Sequence, residues 1–91
     1  MAKTTRSDLI DAALSHGVPF HIVDGLVDYI VDRVPVGSFL EAVLCNDLRG
    51  SFAKADSTNK ERLFEIVSFL HNEVDLRCWG SPEKYDAWLA R

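Results

Sequence analysis

Apolar residues in this chain recur at the three- and four-residue spacing of an α-helix from Leu9 to Leu89. No stretch shows the strict alternation of a half-buried strand. Residues 1–6 carry Lys3 and Arg6 without apolar periodicity and are expected to form a flexible arm ahead of a single domain over residues 7–91. Ser7 is the expected N-cap of a first helix, with Asp8 and Asp11 where the helix dipole favours negative charge, and Gly17 supplies its left-handed stop. Pro19 suits the first turn of a second helix. There Val23, Leu26, Val27, Ile30 and Val34 share one face, while His21, Asp24, Asp28 and Asp32 lie opposite as an acidic ridge. "VPVG" ends this helix, because Pro35 disfavours helical geometry at Val34.

Ser38 and Glu41 have capping-box spacing and open a third helix, "GSFLEAVLCNDLRGSF". Its apolar residues Phe39, Leu40, Val43, Leu44, Leu48 and Phe52 sweep over half the circumference, the pattern of a central helix packed on more than one side. "KADSTN" interrupts with turn formers. Thr58 with Glu61 then offers a second capping box for a fourth helix, striped by Leu63, Ile66, Val67, Leu70 and Val74 with Phe64 and Phe69 on its flanks. Ser81 and Pro82 open a short last helix in which Tyr85, Trp88 and Leu89 recur at i, i+3, i+4. The expected fold is all-α, a compact single-domain bundle of about five short helices.

Ninety-one residues with 47% hydrophobic and 26% charged positions make one folded domain, too small for an enzyme with a cleft between two halves. The formal net charge of −4 argues against a general affinity for phosphate backbones. No apolar run approaches the ~20 residues of a membrane-spanning helix, and residues 1–7 are polar with no apolar signal segment behind them. A cytoplasmic location is therefore expected, with Cys45 and Cys78 as reduced thiols.

Asp47 falls between Leu40, Val43 and Ser51, inside the apolar sweep of the third helix. A buried carboxylate must be hydrogen-bonded or paired. Asp47 is accordingly expected as a structural polar core residue, accepting from a neighbouring turn or from the Trp79 indole and pinning "CWGSP" onto the central helix. The competing reading makes it a general acid or base in a pocket. Cys45, Cys78, His16, His21 and His71 lack the close spacings of a zinc site, and the five glycines form no phosphate-cradling loop, so no metal or cofactor is expected. Gly25 and Gly50 sit inside expected helices, which suggests close helix approach or a partner contact there.

"GLVDYIVDRVPVGSFLEAVLCNDLRGSFAKAD" followed by "FLHNEVDLRCWGSPEKYDAWL" resembles a family of small bacteriophage- and prophage-encoded proteins, over Gly17 to Leu89. The departure is Asp75, where a proline would be expected. The resemblance brings no catalytic residue with it. It implies an accessory protein in the bacterial host, acting by binding a host protein, such as a defence component, or a phage protein. Candidate contacts are the ridge Asp24, Asp28 and Asp32 and the aromatic residues Trp79 and Trp88. No catalysis is expected. The alternatives are a nucleic-acid-associated regulator with a face of Lys3, Arg6, Lys54, Lys60 and Arg62, and a small-ligand binder or minor enzyme built around Asp47 and Cys78. An uncovered apolar strip on the second or fourth helix would favour a homodimer.

Overall fold

Several helix starts in this chain are set by single side chains. The computed structural model describes residues 5–90, so residues 1–4 of the expected arm lie outside the described residues. α1 (Arg6–His16) begins earlier than expected: Thr5, not Ser7, is its N-cap, and the Thr5 hydroxyl accepts the Asp8 N–H at 3.2 Å. This start puts Arg6 in the first turn. From there its guanidinium reaches Asp28 and Asp32 of α2 (Phe20–Asp32). Gly17 closes α1 at φ +88°, as its position predicts. Pro19 stands just ahead of α2, as its cap, rather than in its first turn. Arg33 ends α2 in a left-handed conformation, its N–H on the Tyr29 carbonyl, which leaves Val34 outside the helix.

The expected long third helix is two helices, α3 (Ser38–Leu44) and α4 (Leu48–Lys54). Asn46 takes φ +62° and breaks the run, a conformation that Asn tolerates better than most residues. Asp47 restarts it. Its carboxylate accepts the Gly50 N–H at 3.0 Å, while its own N–H donates to the Ala42 carbonyl at 2.8 Å. Asp47 is therefore an exposed N-cap and not a polar core residue, because the break at Asn46 rotates it out of the apolar sweep. Gly50 belongs to the same cap: a Cβ there would collide with the Asp47 carboxylate. The Ser38–Glu41 capping box does not form. Gly37 is the N-cap of α3, and Ser38 already occupies the first helical position.

The expected fourth helix also divides, at Arg62, into α5 (Ser57–Glu61) and α6 (Leu63–Glu73). Asp56, rather than Thr58, caps α5 by accepting the Asn59 N–H at 2.7 Å. Asp75 caps a single 3-10 turn (Leu76–Cys78) by accepting the Arg77 N–H at 2.9 Å. Ser81 caps α7 (Pro82–Leu89) as expected, its hydroxyl accepting the Lys84 N–H at 3.1 Å. The described residues thus form an all-α domain of seven helices and one 3-10 turn.

α1 packs on α2 and α6, α3 on α4 and α7, and the 3-10 turn on α7. Leu9, Leu26, Val27, Leu44, Ile66, Phe69 and Leu70 are fully buried at the centre. Tyr29 is buried with them, and its hydroxyl donates to the Cys78 carbonyl at 2.7 Å. The Tyr29 carbonyl in turn accepts the Trp88 indole N–H at 2.9 Å, and its ring stacks on Tyr85 with centroids 5.2 Å apart. The Gly80 N–H donates to the Leu44 carbonyl at 2.8 Å. "CWGSP" is thus pinned onto the central helices, but by Tyr29 and the backbone rather than by Asp47.

Two stability changes follow. Tyr29→Phe leaves the buried Cys78 carbonyl without its donor and should lower the unfolding free energy by about 1–3 kcal/mol in urea titrations. Asp47→Ala removes a surface cap and should cost about 1 kcal/mol, with the Gly50 amide proton exchanging faster and the Trp88 indole resonance unchanged.

Candidate functional site

The residues that the capping breaks turn outward make the most distinctive surface. Once Asn46 and Asp47 divide the long helix, Leu48 and Phe52 leave the core and face solvent on α4. Phe64 and Val67 do the same on α6 after the break at Arg62. Leu48 is 72% exposed, Phe52 58%, Phe64 80% and Val67 38%. These side chains border linked hollows. A 560 Å³ depression is lined by Leu48, Arg49, Phe52, Ala53 and Leu63. A narrow cleft of 50 Å³ shares Leu48 and Leu63 with it and runs past Val67 to Trp79. A third hollow, of 290 Å³, adjoins it at Val67 and is bordered by Phe64 and His71.

Trp79 lies in the narrow cleft, half-buried, and its indole N–H is sealed from water without a hydrogen-bond partner. An unsatisfied buried donor is uncommon and costs stability. Two cations flank Phe52: the Lys60 ammonium sits 5.0 Å from its ring centroid, and Arg49 lines the same depression. Neither forms an ion pair among the described residues.

The other sequence-derived candidates are placed differently. Asp28 and Asp32 are both held by Arg6, at 2.6 and 2.5 Å, so the acidic ridge is partly neutralised, and Asp24 is exposed on the same helix. Trp88 is engaged within the domain: its indole N–H is on Tyr29, and the Arg33 guanidinium lies 3.7 Å over its ring. The cations expected to form one nucleic-acid face are spread out. Arg6 serves the ridge, Lys60 sits over Phe52, Lys54 lines a separate groove, and Arg62 points toward Gly17 on α1, while Lys3 lies outside the described residues.

Sequence periodicity assigned Leu48 and Phe52 to the core and Phe64 to a flank, and so missed this face. The readable signal was "CND", an Asn that tolerates a left-handed turn followed by an Asp that can cap.

Asp47 and Cys78 form no reactive pair. Cys78 is fully buried, its thiol donates to the Asp75 carbonyl at 3.1 Å, and burial pushes the thiol up to about 12. Burial also raises the Cys45 thiol. Among the described residues no three His, Cys, Asp or Glu side chains converge on a metal position, and no helix is long and apolar enough to cross a membrane. His16 is bound to Glu73 at 2.9 Å and His21 to Asp56 at 3.2 Å. A raised thiol pKa keeps the sulfur protonated at neutral pH. An aromatic disulfide reagent should therefore label Cys45 slowly and Cys78 only at the rate of unfolding, read by mass spectrometry against a Cys45→Ser variant. Rapid labelling of Cys78 in the folded state would contradict this burial.

A scan of the chain against protein-family models and searches among curated proteins and solved structures find no match.

Proposed function

We propose that the protein works by binding another protein through the α4–α6 face, as a phage-type accessory factor that modulates a host or phage protein. The observation that carries this reading is the contiguous set Leu48, Phe52, Phe64 and Val67, all exposed, with the unpartnered Trp79 N–H in the cleft between them. Single exposed apolar residues are ordinary, whereas a joined patch of large ones marks an interaction surface. Covering each large side chain gains roughly 1.5–3 kcal/mol, so these four side chains together offset a substantial part of the association cost.

The shape and charge of the face suit an amphipathic helix whose apolar stripe lies along α4 and α6 and whose flanks are acidic. Arg49 and Lys60, which have no carboxylate partner among the described residues, would meet those flanks. A second copy of the chain is disfavoured as occupant, since a two-fold contact would gather the Arg49 and Lys60 pairs of both copies on one patch.

The test uses nitrogen-labelled protein and two synthetic amphipathic peptides with the same apolar stripe, one flanked by Glu and one by Lys. The Glu peptide should shift the Trp79 indole resonance and leave that of Trp88 in place. Phe52→Lys with Phe64→Lys should weaken binding at least tenfold, about 1.4 kcal/mol, without lowering the melting temperature. Equal binding of the Lys peptide, or no shift with either, overturns the reading. A dimer in sedimentation that Phe52→Lys dissolves would assign the face to a second copy instead.

A further inference from the structure

A groove of about 390 Å³ lies between α2, the start of α3 and α5, and it shares no lining residue with the α4–α6 face. Its volume is in the range of small-molecule sites. Two of its features have no explanation in the packing of the domain. Gly25 stands in the interior of α2, where glycine costs about 1 kcal/mol relative to alanine. A Cβ added there would meet nothing within 4 Å, so no neighbouring element requires the glycine, and its absent side chain leaves the groove open.

The second feature is Asn59. It is only 4% exposed, and its Oδ1 is sealed from water with no hydrogen-bond partner. Its neighbours are already satisfied: the Asp56 carboxylate takes the Asn59 backbone N–H on one oxygen and His21 on the other. The Asn59 Oδ1 is therefore the buried side-chain acceptor in this groove that lacks a partner among the described residues. The apolar side chains of Ile22 and Phe39 lie beside it.

We propose that this groove binds a small flat ligand with an amide-type edge, an adjacent N–H and C=O as in a lactam or a nucleobase ring. The ligand N–H donates to Asn59 Oδ1 and its carbonyl accepts from the Asn59 Nδ2–H, the two-point pairing that a carboxamide makes with a base edge. Because Oδ1 is covered in the free domain, ligand binding on this proposal requires the Asn59 side chain to turn its carboxamide edge toward the groove. The ring rests against Ile22 and Phe39 in the space left by Gly25. This site is independent of the protein-binding face, and neither reading depends on the other.

The experiment titrates nitrogen-labelled protein with uracil and hypoxanthine, and in parallel with 1,3-dimethyluracil, which keeps the ring and carbonyls but has no N–H. Uracil or hypoxanthine should shift the Asn59 side-chain amide and the Gly25 backbone resonances, and dimethyluracil should bind at least tenfold more weakly. Gly25→Leu fills the groove while favouring the helix, so it should melt no lower than the parent and abolish the shifts. Asn59→Leu should abolish them by removing the edge partner. Absence of any shift up to the solubility limit of both bases, equal binding of dimethyluracil, or undiminished binding by Gly25→Leu overturns the proposal.

Discussion

The hydrogen bond from the Tyr29 hydroxyl to the Cys78 carbonyl is the constraint on which the rest of the domain depends. Tyr29 is fully buried, and burial raises its phenol, so the group remains a proton donor across the accessible pH range. Its position joins sequence-distant parts. The hydroxyl holds the 3-10 turn, the backbone carbonyl holds Trp88 of α7, and the ring stacks on Tyr85. With the 3-10 turn fixed, Gly80 meets the C-terminal carbonyl of Leu44, and Trp79 is carried to the edge of α4 and α6. The placement of Trp79 at the candidate interface therefore begins at a tyrosine on another helix.

Much of the architecture was legible in the chain because local chemistry and tertiary packing agree there. Gly17, the apolar face of α2 and the Ser81–Pro82 start of α7 all act as their sequence suggests. The misreadings fall where two signals compete. Apolar periodicity runs unbroken through "FLEAVLCNDLRGSF", but the pairing of Asn46 with a capping Asp47 outweighs it, and the helix stops and restarts. The same competition splits the fourth expected helix, where Asp56 and not Thr58 satisfies the α5 N–H groups. A helical wheel assumes continuity, so the residues just after the break at Asn46 are assigned to the wrong side, whereas Ile66, Leu70 and Val74 beyond the break at Arg62 are buried as their stripe predicts. Asp47 was therefore expected inside, and Leu48 and Phe52 with it.

Tyr29 escaped notice for a different reason. Its hydroxyl partner is a backbone carbonyl 49 residues away, and no pattern in the sequence encodes that distance. The candidate surface was hidden likewise. Its exposure is a property of two short helices, α4 and α6, whose apolar residues outnumber the positions that a domain of this size can cover. The acidic ridge, in contrast, was visible as three aspartates, but its pairing with Arg6 depends on α1 starting at Thr5 rather than Ser7.

Several features of this domain lower its stability without serving its packing: exposed Phe52 and Phe64, an unpartnered Trp79 N–H, a helix-interior Gly25 and an unpartnered Asn59 carboxamide. A chain shaped by folding alone has simple remedies for each, since a polar residue at 64, an alanine at 25 or an apolar residue at 59 would all ease the strain. These five features fall into two groups, whereas exposed Phe20 and Leu76 line neither surface. Phe52, Phe64 and Trp79 belong to the α4–α6 face, whereas Gly25 and Asn59 share the groove beside α2. Clustering of unfavourable features into two surfaces, each with its own consistent chemistry, is the pattern expected of binding sites, where contact with a matching partner would remove a penalty that the free domain bears.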